Sequence, residues 1–452
     1  MIKQGMNMIY PLTLLPLIGA TLLLTACKDS TAPVNNNATD LDHIYTYIEQ
    51  TYQEPLQDPA SCVNYTRSCH VEALPFIAMS YPETQIPQIM SRVVVSHDWM
   101  GERFEALLTH LPKEILTLLG SVTAIVIADN IRPSFYWTGS GAIYLDPASL
   151  WLTNEEKLTI DQTSDYRDEL GANLSYDFFH RFVKQGQAAY RTYSLSNSEE
   201  RTLDDIIIPM ASLLFHELAH ANDFMPASLM VSLHLDQTTR SEIARFSVLR
   251  LNQQLKQRYP IVDSTLISQA KILYTGTTAT EEETQHSASY LGDLMSQEGA
   301  NHLYAYSHQA EDVAMLFQAT MLNYYYGIEM DSAFVIKPQN DSNYCEDYIV
   351  GWGQRNRIAD PMSKQRAQFV SEQLLTDLDL SPFFAQLTPP QTFPDLTNWC
   401  NISLSSTDES NSFSESTLTD NDSNSIKAKS SRQQVNSELL RHHHHGVITS
   451  FN

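Results

Sequence analysis

Basic residues are scarce in this chain of 452 residues, which holds 28 Lys and Arg against 53 Asp and Glu and has a formal net charge of −25. A nucleic-acid partner requires a basic face for the phosphates, so this balance argues against one. Cysteine is also rare: there are five, and no two have the C-x-x-C spacing of a structural zinc site. No internal repeat is visible.

The apolar run near the N terminus is short for a transmembrane helix. It extends from about Met8 to Leu24 and is interrupted by Pro11 and Pro16, whereas a span needs ~20 apolar residues. A single charge at Lys3 precedes it. A short basic N-terminal region, an apolar segment and small residues before the cleavage site are typical of a secretory signal peptide. A single membrane helix is the alternative.

The segment Leu24-Thr25-Ala26-Cys27 ends this run with small residues before a cysteine. It resembles the lipobox of bacterial lipoproteins, which implies cleavage before Cys27 and lipid on that cysteine. Several acyl chains on one residue would anchor the protein stably. By the same resemblance, Lys28 in place of an aspartate points to the outer membrane. We expect an exported protein that is lipid-anchored and faces the periplasm or the surface; a plain signal peptide is the alternative.

Four cysteines remain after Cys27, and an even number in an exported protein suggests two disulfides. Three pairings are open. We expect Cys62 to pair with Cys69 across a short local loop. Cys345 would then pair with Cys400 and tie down the last folded segment.

Composition divides the chain into four stretches. Residues 1–26 read as the signal peptide, and the polar residues 27–40 read as a flexible tether. Residues 41–401 contain aromatics throughout and predict a globular α+β domain. Residues 402–452 are rich in Ser, Asn, Asp and Thr and predict a disordered tail, in which His442–His445 is given no role.

The most informative stretch is His216-Glu217-Leu218-Ala219-His220, which places two imidazoles four residues apart with a carboxylate beside the first. On a helix, such positions share one face, so both rings can reach one metal ion. The preceding Ile206–Phe215 is apolar and lacks glycine, and Pro209 suits a first turn, so we predict a buried helix over 206–224. Two core histidines satisfied by hydrogen bonds are the alternative.

Two segments ahead of this helix have the composition of strands. Val122–Ile127 is β-branched and short, and Gly141–Leu145 follows a turn-like Gly139-Ser140 pair. After the helix, the pattern is mostly helical. The segments with this pattern are 240–259, 265–274, 282–295, 311–325 and 363–378.

The five-residue motif resembles the His-Glu-x-x-His signature of zinc peptidases, in which the Glu is the general base. The resemblance implies a zincin-like fold, with a small mixed sheet (lobe 41–205), the metal helix and a mostly helical C-terminal lobe (225–401). It further implies that an edge strand of the sheet holds the substrate by main-chain hydrogen bonds. Ile143–Leu145 is the candidate for this edge, and an ordinary strand is the alternative.

The third zinc ligand differs between branches of these peptidases. Metzincins place a glycine three residues, and a ligand six residues, after the second His; here those positions are Asp223 and Pro226, which excludes that branch. The chain is similar instead to gluzincins, whose third ligand is a Glu on a later helix. Glu311 is the best match because it opens a strongly apolar helix, where zinc would compensate a buried carboxylate. A carboxylate stabilised by the helix dipole is the alternative.

Other carboxylates have secondary roles in this scheme. Asp312 is the fallback ligand or orients a metal-binding His, and Asp223 could accept the Nδ1–H of such a His or else face water. Met315 stands where the thermolysin-like branch has Asp, which is a departure from that branch. The rival ligands between His220 and Glu311 are Glu281, Glu282, Glu283 and Glu298.

The resemblance implies a membrane-anchored zinc metallohydrolase, in particular a peptidase that acts on proteins or peptides. Glu217 would take a proton from the zinc-activated water and pass it to the leaving amine. A binding lipoprotein of the cell envelope that keeps the fold without turnover is the alternative, and the presence of Glu217 favours the enzyme. The donor to the oxyanion stays open among Tyr304, Tyr306, Tyr324, Tyr325, Tyr326, Arg355 and Arg357.

Overall fold

The computed structural model describes the chain from residue 41 to residue 402 and the backbone of the strand 446–448. The expected signal peptide, the lipidation residue Cys27, the tether and His442–His445 lie outside the described residues and stay predictions. In the described part, no helix has the length and hydropathy needed to cross a membrane. Short segments within the first range are not described: 42, 48–57, 66–67, 82, 164, 197 and 340–344.

The described residues form a mixed α+β structure with two sheets. The helices are α1 (Ile77–Ser80), α2 (Ile86–Met90), α3 (Asp98–Leu108), α4 (Lys113–Leu118), α5 (Asn154–Lys157), α6 (Leu203–Phe224), α7 (Thr239–Arg245), α8 (Leu251–Arg258), α9 (Ser264–Thr275), α10 (Glu281–Thr284), α11 (Ala288–Ser296), α12 (Gln309–Tyr326), α13 (Pro361–Leu374) and α14 (Ser381–Ala385). The strands are β1 (Tyr45–Thr46), β2 (Val93–Val95), β3 (Ile125–Ile127), β4 (Phe135–Trp137), β5 (Ala142–Leu145), β6 (Tyr176–Lys184), β7 (Gln187–Ala188), β8 (Ile328–Ile336), β9 (Ile349–Arg355), β10 (Gln391–Thr392) and β11 (Gly446–Ile448).

The first sheet has the order β1-β2-β3-β5-β4-β11. Its centre, β2, β3 and β5, is parallel and fully buried, as expected for β-branched strands covered on both faces. Strand β4 runs antiparallel to β5, and the turn between them needs the left-handed backbone of Gly141, with φ of 73°. The predicted strands over 122–127 and 141–145 are thus present in shortened form.

The prediction that Ile143–Leu145 forms an edge is wrong. These residues belong to β5, which pairs with β3 on one side and with β4 on the other. Its main-chain groups are therefore used within the sheet. Among residues 41–402, it is β4 that ends this side of the sheet, and the outermost strand β11 pairs with it there.

Helix α6 carries the paired histidines through the centre of the molecule. It begins after Thr202, whose backbone N–H and hydroxyl both donate to the Asp205 carboxylate, and the two side chains form a capping box. The helix therefore starts earlier than predicted, and Pro209 lies inside it rather than in its first turn. It packs against α4, α12 and the strands β4 and β5. The residues from Met210 to Ala221 in this helix are all buried.

Helix α12 lies beside α6 and begins at Gln309, with His308 as its N-cap. The Nδ1 atom of His308 accepts a hydrogen bond from the backbone N–H of Ala310 at 3.2 Å. The helix ends at Gly327, which has a left-handed φ of 63°. Two other predicted helices are interrupted: 240–259 is divided into α7 and α8, and 282–295 into α10 and α11.

A second, antiparallel sheet was not predicted. Its order is β10-β9-β8-β6-β7, and β6 pairs with β8 along the whole length of both strands. Because β6 precedes α6 and β8 follows it, the sheet joins the two lobes expected at 41–205 and 225–401. The C-terminal part, 225–401, is mostly helical, as predicted, but it also contributes β8, β9 and β10 to this sheet.

The disulfide between Cys62 and Cys69 is present, as predicted. Cys400 is also disulfide-bonded. The side chain of its expected partner, Cys345, lies outside the described side chains, so that pairing stays a prediction.

Candidate metal centre

Two imidazoles from α6 and one carboxylate from α12 meet in the core. The Nε2 atoms of His216 and His220 lie 3.2 Å apart. The Oε2 atom of Glu311 lies 3.2 Å from each of these nitrogens. All three side chains are buried, and together they form a group that could hold a metal ion. The juxtaposition of Glu311 with both histidines is as predicted, although ligation of a metal stays a prediction.

The triangle formed by these three atoms has the size that a tetrahedral zinc ion requires. Bonds of ~2.0 Å at tetrahedral angles separate neighbouring ligand atoms by about 3.3 Å, and the three observed separations are 3.2 Å. Two imidazoles and one carboxylate are also the ligand set of hydrolytic zinc sites, which keep a fourth position for water. The residues therefore fit zinc in both geometry and chemistry.

The protonation states suit a cation. Burial raises the pKa of Glu311, but the His220 and His216 rings outweigh this effect and hold the pKa well below its usual value. Burial lowers the pKa of His220. An ionised carboxylate and a neutral imidazole are the forms that bind a divalent metal.

The second hydrogen-bonding position of His216 faces an amide. Its Nδ1 atom lies 3.4 Å from Oε1 of Gln318, and Nε2 of Gln318 donates to Oγ of Ser212 at 2.7 Å. This chain of contacts favours the tautomer in which Nδ1 carries the proton and Nε2 has its lone pair free. The sequence analysis missed both residues. Helical spacing could have found them, because Ser212 precedes His216 by four positions and Gln318 follows Glu311 by seven.

Glu217 is also buried on α6, next to the first histidine. Burial raises the pKa of its carboxyl well above the usual value, and nearby Glu311 raises it further. The guanidinium of Arg167 and the backbone N–H of Tyr136 act in the opposite direction. Glu217 is thus near Glu311 of the metal-binding triangle and near Tyr136 of β4.

The predicted roles of the two aspartates are wrong. The carboxylate of Asp223 accepts hydrogen bonds from the backbone N–H of Asn252 at 2.9 Å and from its Nδ2 at 2.5 Å. It does not reach His220, whose buried Nδ1 has no hydrogen-bond partner among the described residues. Asp312 lies outside the metal-binding group because its carboxylate is paired with the buried guanidinium of Arg366.

The four glutamates considered as rival ligands lie outside the metal-binding group. The carboxylate of Glu283 accepts from Ser268 and from Thr280, where it completes the cap of α10. Glu298 accepts the backbone N–H groups of Val262 and Asp263, each at 2.9 Å. Glu281 and Glu282 lie in the first turn of α10 and, like the other two, are not part of the metal-binding group found among the described residues.

Two of the seven candidate oxyanion donors have structural roles in the second sheet and its flank. Arg355 donates from Nε to Asp331 at 2.6 Å, and Arg357 donates from Nε to the carbonyl of Ala300 at 2.9 Å. Of the candidate tyrosines, Tyr304 has a ring contact with the metal-binding group. Its ring is stacked on that of His216, with 6.4 Å between the ring centroids.

Searches of protein families, of curated proteins and of solved structures find no match to this chain.

Proposed function

We propose that this protein is a zinc-dependent hydrolase that cleaves peptide bonds, with His216, His220 and Glu311 as zinc ligands. The observation that carries the proposal is the triangle of two Nε2 atoms and one Oε2 atom with sides of 3.2 Å, next to a buried carboxylate that is not part of it. A purely structural metal site would have no need of Glu217 at this position. The zincin-like fold and the gluzincin resemblance belong to the same proposal.

A zinc ion held by His216, His220 and Glu311 would supply Lewis-acid activation of water and of the scissile carbonyl. The Gln318 amide holds the His216 ring in the orientation that points Nε2 towards Glu311. The Glu217 carboxylate takes the proton of the attacking water and gives it to the nitrogen of the leaving amine. Because α6 and α12 enclose these groups, bulk water is largely excluded from around the charges that develop.

The location of the protein follows from its first residues. We propose export, cleavage before Cys27 and acylation of that cysteine, with retention at the outer membrane. A lipid-anchored peptidase would meet proteins or peptides of the cell envelope as substrates. Radiolabelled palmitate should be incorporated by the wild-type chain and not by Cys27→Ser, and labelling of both would contradict the anchor.

The catalytic proposal is tested on the chain from Lys28 to Asn452, which is the proposed mature chain without its lipidated cysteine. Elemental analysis should find close to one zinc per chain, with substoichiometric zinc in His216→Ala. Glu217→Gln should keep the zinc and lose hydrolysis of a casein or peptide-library substrate. A folded protein without zinc would contradict the proposed metal site. Hydrolysis that persists in Glu217→Gln would contradict the role of Glu217 as the base.

A further inference from the structure

The strand β11 extends the first sheet at the edge of β4. Its residues pair in parallel with β4, and the register aligns Gly446 with Phe135, Val447 with Tyr136 and Ile448 with Trp137. In the order β1-β2-β3-β5-β4-β11, this makes β11 the outermost strand. The edge that β4 offers is therefore occupied by the C-terminal end of the same chain.

This edge borders the metal centre. The backbone N–H of Tyr136, in the middle of β4, lies close to the Glu217 carboxyl. Strand β4 also packs on α6, which carries both histidines, and β11 packs on α12, which carries Glu311. A strand added to β4 thus lies beside elements that contact both helices of the metal-binding group, since β4 packs on α6 and β11 packs on α12.

We propose that Gly446–Ile448 is an internal competitor that occupies the peptide-binding edge of β4 and inhibits the hydrolase. The inference rests on the proposed function and adds to it the regulation of the same site. A peptide substrate that joins β4 by main-chain hydrogen bonds would need the positions that β11 fills, so the two cannot bind together. Release of the C-terminal segment would then activate the enzyme.

The sequence around Gly446–Ile448 favours a β-strand at the edge of β4. Val447-Ile448-Thr449 is the only run of three β-branched residues between residues 403 and 452, and such residues favour extended strands. Gly446 precedes the run. The chain between Ile402 and Gly446 could span at most ~150 Å if extended, at 3.3–3.6 Å per residue, so its length allows a return to β4. A tethered segment also binds in an intramolecular step, which favours it over a free peptide.

The first experiment compares full-length variants. Successive N–H groups of a strand point to opposite sides, so one of Val447→Pro and Ile448→Pro removes a donor that faces β4. At least one variant should lower KM for a peptide substrate several-fold with little change in kcat, while Ser430→Pro, outside the strand, should behave as wild type. Unchanged KM in both strand variants would overturn the proposal.

The second experiment supplies the segment in trans. A synthetic peptide of residues 446–452, which lacks the four histidines and so cannot chelate zinc through them, should inhibit the chain that ends at Ser403 competitively. A scrambled peptide is the control. Activity per molecule of the full chain should not depend on protein concentration; a fall with rising concentration would show that the segment of a second copy fills the edge and would overturn the internal assignment.

A third readout separates this inference from the proposed function. Fluorescein-labelled peptide 446–452 should bind the zinc-containing chain that ends at Ser403 and show a rise in anisotropy, whether or not that chain hydrolyses anything. Binding without hydrolysis would count against the enzyme alone. Hydrolysis without binding or inhibition would count against the internal competitor alone.

Discussion

The Nδ1 atom of His216 faces Oε1 of Gln318 at 3.4 Å across the interface of α6 and α12. The amide is itself held, since its Nε2 donates to Ser212 at 2.7 Å. Gln318 therefore links the two helices on the side of the ring that faces away from Glu311. This contact orients the ring and selects its tautomer, and partners of this kind typically contribute 10- to 100-fold to metal affinity.

Gln318→Met should weaken zinc binding by about 10- to 100-fold, because the side chain keeps its length and loses the acceptor for Nδ1–H. Competition with a chromogenic chelator measures the change. Gln257→Met, at an exposed position on α8, is the matched control and should keep wild-type affinity. Equal affinities in the two variants would mean that the amide has no part in orienting the ring.

Glu311→Ala should lose zinc far more severely than Gln318→Met, since it removes a ligand rather than a supporting contact. The two imidazoles remain, so weak binding should persist at high zinc concentration. Glu281→Ala, a rival carboxylate at the exposed start of α10, should keep close to one zinc per chain. If zinc content follows Glu281 instead, the assignment of the third ligand is wrong.

Asp312→Ala should destabilise the fold and leave the metal-binding triangle in place. Its carboxylate is paired with Arg366, and both side chains are buried. Removal of one partner leaves an uncompensated charge, which typically costs about 3–5 kcal/mol. Urea unfolding measures the loss, and zinc content of the folded protein should stay close to one per chain.

A double-mutant cycle supplies the control for this pair. The chain in which both Asp312 and Arg366 are replaced by Met should lose less stability than the sum of the losses in Asp312→Met and Arg366→Met, because neither charge is left alone. Strict additivity would contradict a direct interaction between the two side chains.

Helical spacing was sufficient to predict which side chains of α6 and α12 face the metal site. The four-residue interval between His216 and His220 places both rings on one face of α6, and the same periodicity explains why Glu311 and the adjacent Asp312 have separate partners. Neighbouring residues on a helix point about 100° apart, so only one of an acidic pair can face a given metal. Gln318 follows the same rule and was overlooked only because its residue type is common.

The order of the strands in the sheets could not be predicted from the spacing of residues along the sequence. The pairing of β6 with β8 joins segments on either side of α6. The sequence of a single strand does not predict which other strand pairs with it. The wrong edge assignment for Ile143–Leu145 has the same origin, since a strand's place in the sheet depends on what pairs with both of its sides. Asp223 shows the corresponding limit for side chains, because its partner Asn252 lies on α8.

Asp223 should make the stability of this protein fall as pH rises. Burial raises the pKa of its carboxyl from an ordinary value of 3.8 to about 6, even though Asn252 and Arg250 act in the opposite direction. Between these two values, the folded protein holds a proton that the unfolded chain has lost. The stabilising contribution is therefore complete below the unfolded pKa and is lost as pH rises through the folded one.

The matched variant is Asp223→Asn, which has no proton to lose at this position. Because both proteins keep every other titrating group, the difference in their free energies of unfolding isolates Asp223. That difference should change by about 3 kcal/mol between about pH 3 and about pH 7, at 1.36 kcal/mol per pKa unit, with the wild type losing stability relative to the variant. Urea unfolding at several pH values measures both curves. Parallel curves would show that the Asp223 carboxyl titrates normally in the folded protein.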